Sequence, residues 1–201
     1  MNIESINFEY NEKISMISKK QFDVHIELYK GYVTKTNEIG STLTAPTDES
    51  GRKTANATYS KFRGLKRGES YALDGVILHE LYFANIGGSE SPSELALKSL
   101  SHHFGSYDDW KQDMLACGNS ARGWVITGYD PRTKSIKNIC LDSHHDGMVL
   151  LLYPIIVLDM YEHAYFIDYT NKKDDYIHAF LKNINWYSIN ERFKIYDQVR
   201  W

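Results

Sequence analysis

Residues 157–169 read VLDMYEHAYFIDY. An apolar run, 148–158, ends on an acid, Asp159, and His163 follows four residues later where a Tyr-rich segment begins. An unpaired carboxylate closing a buried run is costly. A metal ligand has a reason to be there, since an acid at a strand end and a nearby imidazole present two donor atoms to one ion.

The elements around this stretch follow from periodicity. Residues 148–158 (MVLLLYPIIVL) read as a buried strand, with Pro154 marking an edge or a bulge. Residues 123–130 (GWVITGYD) and 134–142 (KSIKNICLD) are two further β-like runs, joined by the turn sequence DPRTK. Ahead of them, Ser106 caps a helix over 106–118, with Asp108 and Asp109 in its first turn. Ser91 and Pro92 start another helix that ends near His103. GGSESPSE (87–94) divides the chain into segments 1–88 and 89–201. A helical pattern fills 57–86, and 40–55 reads as a loop, with Gly40 as the stop of a first helix over 11–39. That helix carries Ile14, Ile17, Phe22, His25, Leu28, Tyr29, Tyr32 and Val33 at apolar spacing. Beyond the opening stretch, 164–184 is helical and 186–197 forms a last short helix. The class is α+β: an N-terminal helical hairpin, then an α/β lobe with three strands.

The 201 residues are 42% hydrophobic and 24% charged, enough to bury a core without covalent staples. A net charge of −3 argues against nucleic acid or a polybasic membrane role, and an anionic substrate would need a local basic patch. No apolar run is long enough to span a bilayer. The N-terminus lacks a signal-peptide core, and Cys117 and Cys140 make no disulfide framework. The expectation is a soluble cytoplasmic protein.

Of eight histidines, His25, His79 and His163 sit among apolar residues in three distant segments. With Asp159 they form a nitrogen-rich set suited to iron, manganese or zinc. A histidine in apolar surroundings is more often a hydrogen-bonded core residue, and an acid four residues before a histidine is a weak motif alone.

Longer motifs decide between these readings. Residues 159–165 (DMYEHAY) resemble the DxWEHAYY signature of iron/manganese superoxide dismutases, with Tyr161 in place of Trp. Residues 79–83 (HELYF) are similar to that family's H-x-x-[FY]-[WF] segment. FGSYDDWK (104–111), Gly123-Trp124, Asn183-Ile184-Asn185-Trp186 with Glu191-Arg192, and Asp23-Val24-His25 with Lys30-Gly31-Tyr32-Val33 resemble further segments in the family's order. The resemblance covers roughly 20–197.

The resemblance implies a three-stranded antiparallel sheet and one iron or manganese ion per subunit, held by His25, His79, Asp159 and His163. It implies superoxide as substrate and a homodimer, or a tetramer, with no role for nucleic acid or membrane. The family places a Gln or His beside the ion's solvent ligand. No Gln occurs near Gly75 or in 142–146, so His145 is the expected outer residue, with His144 next to it the alternative. Tyr32 is implied as the phenol at the cavity mouth. Tyr82, Phe83, Trp124 and Tyr161 are expected to wall the cavity, and Lys30 and Lys173 to draw in the anion. Glu162 is expected to reach the partner's ligand histidine across a two-fold axis.

Two departures bear on chemistry. His25 and Tyr32 are seven residues apart, where the family has eight with a His pair between; that pair is Leu28-Tyr29 here. Seven residues turn a helix to within about 20° of its start, so both side chains share a face without an extra-residue bulge. Phe166 stands where the family commonly has a tyrosine bonded to the lost histidine, so both ends of one hydrogen bond are absent together. The alternative to an active enzyme is a catalytically poor metal-binding relative with a structural or interaction role. Zinc hydrolysis lacks an obvious general base.

Overall fold

The computed structural model describes residues 2–198. Helix α1 (Lys19–Thr44) starts at Ser18, whose hydroxyl accepts the Gln21 amide. Ile14 and Ile17 are buried but belong to the irregular segment ahead of it, not to the helix. Gly40 does not end α1. Its loss of about 1 kcal/mol relative to Ala is tolerated inside a long helix, and the stop comes at Ala45, held extended before Pro46. Two single 3-10 turns lead into α2 (Lys61–Asn85), capped by Ser60, which packs along α1 as an antiparallel hairpin.

Helix α3 (Glu94–Phe104) is capped by Ser93 rather than opened by Ser91, because it is the Ser93 hydroxyl that accepts the Ala96 amide. Helix α4 (Tyr107–Ser120) is capped by Ser106 as its sequence predicts. Strands β1 (Trp124–Asp130), β2 (Ser135–Leu141) and β3 (Tyr153–Asp159) form an antiparallel sheet in the order β2-β1-β3. The central β1 is buried throughout. Strand β3 is shorter than its apolar run: Leu151 has φ +63° and Leu150 is 86% exposed, so 148–152 is turn, not sheet. Pro154 lies on this edge strand opposite Gly128, where the register shifts.

The helical pattern of 164–184 is interrupted. Thr170, at φ +53°, separates α5 (Phe166–Tyr169) from α6 (Lys173–Lys182), and α7 (Trp186–Phe193) follows. The end of α2 is clasped by the link between α6 and α7. Ile86 bridges Ile184, the Asn185 amide donates to the Asn85 carbonyl at 2.7 Å, and Gly87 donates to Asn183 at 3.0 Å. A Cβ on Gly88 would lie 2.3 Å from the Asn185 Cα, so only glycine permits this approach. Asn85 Oδ1 also accepts Arg192, whose guanidinium donates to the Ile155 carbonyl of β3.

Candidate metal centre

His25 lies on the inner face of α1, His79 on that of α2, Asp159 ends β3, and His163 sits in the turn that follows. The hairpin supplies two of these side chains and the sheet end supplies two. Their donor atoms all lie within 4.8 Å of one another. Three Nε2 atoms surround one carboxylate oxygen, Asp159 Oδ2: His25 at 3.1 Å, His163 at 3.1 Å and His79 at 3.7 Å. Donors about 2.1 Å from a shared ion stand roughly 3–4 Å apart.

The hydrogen bonds around His79 test whether an ion fits. His79 Nδ1 lies 2.6 Å from the Gly75 carbonyl, which can only accept, so Nδ1 carries the ring hydrogen of the neutral imidazole. Burial pushes the His79 imidazolium down to about 3, so the ring is neutral at ordinary pH. Its Nε2 then points a lone pair at a carboxylate oxygen and has no hydrogen-bond partner among the described residues. Two acceptors facing each other in a buried pocket repel unless a cation lies between them. Asp159 is fully buried. Burial by itself would raise its carboxyl, but His163 and His25 outweigh that and hold it well below the usual carboxylate range. Burial likewise lowers His25, against the pull of Asp159. An anionic carboxylate and three imidazoles, two of them pushed toward their neutral form, suit a divalent or trivalent transition ion.

The surroundings of this cluster are aromatic. Trp124 sets its ring edge-on to His79 at 5.0 Å, Tyr82 lies 5.1 Å from His25, Phe83 4.9 Å from His25, and Tyr161 stacks on His163 at 5.1 Å. Tyr32 lies 5.3 Å from His79. α1 is helical without interruption between His25 and Tyr32, so the seven-residue spacing brings both to the cluster.

Of the two adjacent histidines, the structure brings His144 to the site and not His145, reversing the order expected from sequence. His144 is fully buried, its ring 4.7 Å from Tyr32 and 5.8 Å from His79. Trp124 Nε1 donates to His144 Nδ1 at 2.9 Å, which leaves the ring hydrogen on Nε2. That Nε2 is buried without a partner among the described residues, and burial lowers the ring to about 4. His145 is partly exposed and meets Ser143. Gly75 makes the room: a Cβ there would lie 3.0 Å from the Tyr32 ring and 3.3 Å from His144.

The two lysines are not brought together. Lys30 is two residues from Tyr32, about 200° around α1, and pairs with Glu27 at 2.7 Å. Lys173 reaches the Ala121 carbonyl. Tyr29 turns inward and donates to Glu80 at 2.7 Å. Glu162 is exposed.

Two residues escaped the sequence reading. Tyr71 lies 4.5 Å from His144 and 6.1 Å from Tyr32, and it helps raise the phenols of Tyr32 and Tyr161, after burial for both. The spacing of four in Tyr71, Gly75 and His79 was its signal. Gln21 is buried one turn before His25; its amide donates to the His163 carbonyl at 2.5 Å and accepts from Ile167 at 3.0 Å. No pattern marks such a bond.

Comparison with known proteins gives a consistent picture. Residues 92–192 match the profile of iron/manganese superoxide dismutases, C-terminal domain. The chain is 42% identical to a superoxide dismutase (Fe) of Aquifex pyrophilus over 186 residues, 91% of this chain and 87% of that protein. It is 34% identical to a superoxide dismutase (Fe) of Cupriavidus metallidurans over 90% of both chains. It is 29% identical to superoxide dismutase (Mn) 2 of Haloferax volcanii over 92% of this chain and 90% of that one.

Proposed function

The chain belongs to the iron/manganese superoxide dismutase family, and we propose that His25, His79, Asp159 and His163 hold its one redox ion while His144 and Tyr32 manage protons beside it. The protein is a superoxide dismutase of the iron or manganese type. Once bound, the ion supplies one-electron exchange, so that one superoxide leaves as dioxygen and a second, with two protons, as hydrogen peroxide. The unpartnered His79 Nε2 facing Asp159 Oδ2 carries the assignment of the ligands.

The remaining work belongs to side chains. Asp159 offsets part of the ion's charge. Tyr82, Phe83, Trp124 and Tyr161 exclude bulk water, which strengthens every electrostatic contact inside. Trp124 fixes the tautomer of His144, so Nε2 is a buried hydrogen-bond donor with no partner among the described residues. A donor held in that place steadies negative charge on a small oxygen ligand without reorganising. Tyr32 carries a phenol at the same wall, with burial and then Tyr71 holding it protonated above its ordinary value.

We place the subunit contact on the His163 face, where Val24, Leu28, Phe166 and Ile167 are exposed and His163 is 24% accessible. In a two-fold dimer each exposed Glu162 would accept from the ligand histidine of the other copy. Sedimentation should give a dimer, and E162A should shift it toward monomer.

Metal analysis and superoxide consumption by the purified protein test the assignment. Wild type should hold one iron or manganese per chain and turn over. D159A should lose both, and a variant that keeps its ion and rate would remove Asp159 from the site. Redox metal without turnover would mark a binding relative instead of an enzyme.

A further inference from the structure

Helix α4 and strand β2 run side by side outside the metal cavity, and two polar links tie them. Asn138 donates to Asp113 Oδ2 at 2.8 Å, and the Cys140 thiol donates to the Cys117 carbonyl at 3.4 Å. Four helical residues rise about 6 Å and two strand residues about 6.6 Å, so the step from Asp113 to Cys117 matches the step from Asn138 to Cys140. That match sets the two cysteines side by side, with the Cys140 sulfur against the Cys117 backbone. Cys140 is exposed on the edge strand, while Cys117 is half-buried with its S–H directed at Asp113 Oδ2, 3.9 Å away. No part of this pair touches the metal ligands, and dismutation does not use it.

We propose that Cys140 and Cys117 form an oxidisable dithiol that consumes hydrogen peroxide, the enzyme's own product, and closes to an intramolecular disulfide between β2 and α4. The Cys140 sulfur attacks one peroxide oxygen, the O–O bond breaks, and the departing hydroxide takes the thiol proton and leaves as water. Cys140 is then a sulfenic acid. The Cys117 sulfur attacks it, an S–S bond forms, the S–O bond breaks, and the second water departs with the Cys117 proton, which Asp113 is placed to pass on. Two thiols lose one electron each, and one peroxide becomes two waters.

The order of attack follows from exposure. Solvent-borne peroxide meets Cys140 first. Burial, then the neighbouring thiol and Asp113, push the Cys117 thiol up to about 12, so Cys117 stays protonated and acts second. Cys140 lies four residues before His144, so the bond would anchor the strand end that leads to the cavity.

The test exposes reduced holoenzyme to hydrogen peroxide, followed by alkylation and intact mass. The expected result is a loss of two hydrogen atoms, no alkylated cysteine, one cross-linked peptide pair, and reversal by dithiothreitol. C117S should stop at a sulfenic acid on Cys140 that dimedone traps, and C140S should leave Cys117 a free thiol. A disulfide between two chains, over-oxidised Cys140 with Cys117 still alkylated, or two free thiols in excess peroxide would each overturn the proposal. Superoxide consumption and metal content of the same sample read the metal site separately. A peroxide-formed disulfide in protein that neither holds a redox ion nor consumes superoxide would support the thiol pair and count against the metal-site assignment.

Discussion

At the scale of single residues, the cluster is decided by which nitrogen carries a hydrogen. His79 is locked by Gly75 and His144 by Trp124, both through neutral rings. H144A should lower turnover about 10–100-fold, as loss of a residue supporting a metal site does, and cost about 1–3 kcal/mol by leaving the Trp124 N–H unpaired. H145A should change neither by a measurable amount, since it removes a partly exposed turn residue. Assays and urea titrations of both variants separate them. The same rings set an acid dependence in the metal-free protein. His25, His79 and His144 are held below the unfolded value of 6.5. Their contribution is therefore complete above that pH and lost as pH falls, because the unfolded chain binds protons that the native one refuses. His79 and His144, lowered to about 3 and about 4, should each remove up to about 1.4 kcal/mol per pH unit between roughly pH 6 and 4, read as a falling denaturation midpoint across a pH series. A flat profile would mean that none of these rings is held neutral in the folded state.

At the scale of elements, helices and strands place the donors, and single contacts set their spacing. Gly75 lets α2 pass between Tyr32 and His144. G75A should cost about 1–3 kcal/mol through overpacking and slow turnover while metal content holds, because the ligands themselves are not displaced. Gln21 ties α1 to the turn bearing His163. Q21L should leave the His163 carbonyl and Ile167 amide unpaired, a loss of about 1–3 kcal/mol, and release metal faster to a chelator. The sequence showed the four metal-binding candidates because each sits in a periodic element or a long motif. It could not rank His144 over His145, since both lie in an irregular turn where no periodicity says which side chain faces inward. The start of β3 was misplaced for a related reason: Met148, Val149, Leu150 and Leu151 are apolar yet exposed to differing degrees, and hydrophobicity alone does not distinguish a strand from an uncovered turn. Gly40 misled in the opposite sense, as a helix as long as α1 absorbs a residue that would end a shorter one.

At the scale of the whole molecule, an ion would join the hairpin to the sheet end. Ligation that exists only in the folded state adds stability by mass action: about 4 kcal/mol when free ion stands a thousandfold above Kd. In a chain of this size each kcal/mol shifts Tm by about 2–4 °C. Chelated protein should therefore melt well below the loaded form, and calorimetry before and after metal removal checks it. Equal melting temperatures would mean that the four donors do not share an ion. The element order and antiparallel sheet were legible from patterning and motifs. The clasp between Asn85–Gly87 and Asn183–Asn185 was not, since it is made by backbone atoms that any sequence carries.

That clasp has a consequence for synthesis. Asn85 leaves the ribosome about a hundred residues before its partner Asn185, so α2 must wait, unfastened, while almost half the polypeptide is still being translated. A nascent chain cannot finish the cradle around His79 until its last helices emerge. Translation arrested shortly before residue 185 should yield a product that a protease still cuts at the end of α2.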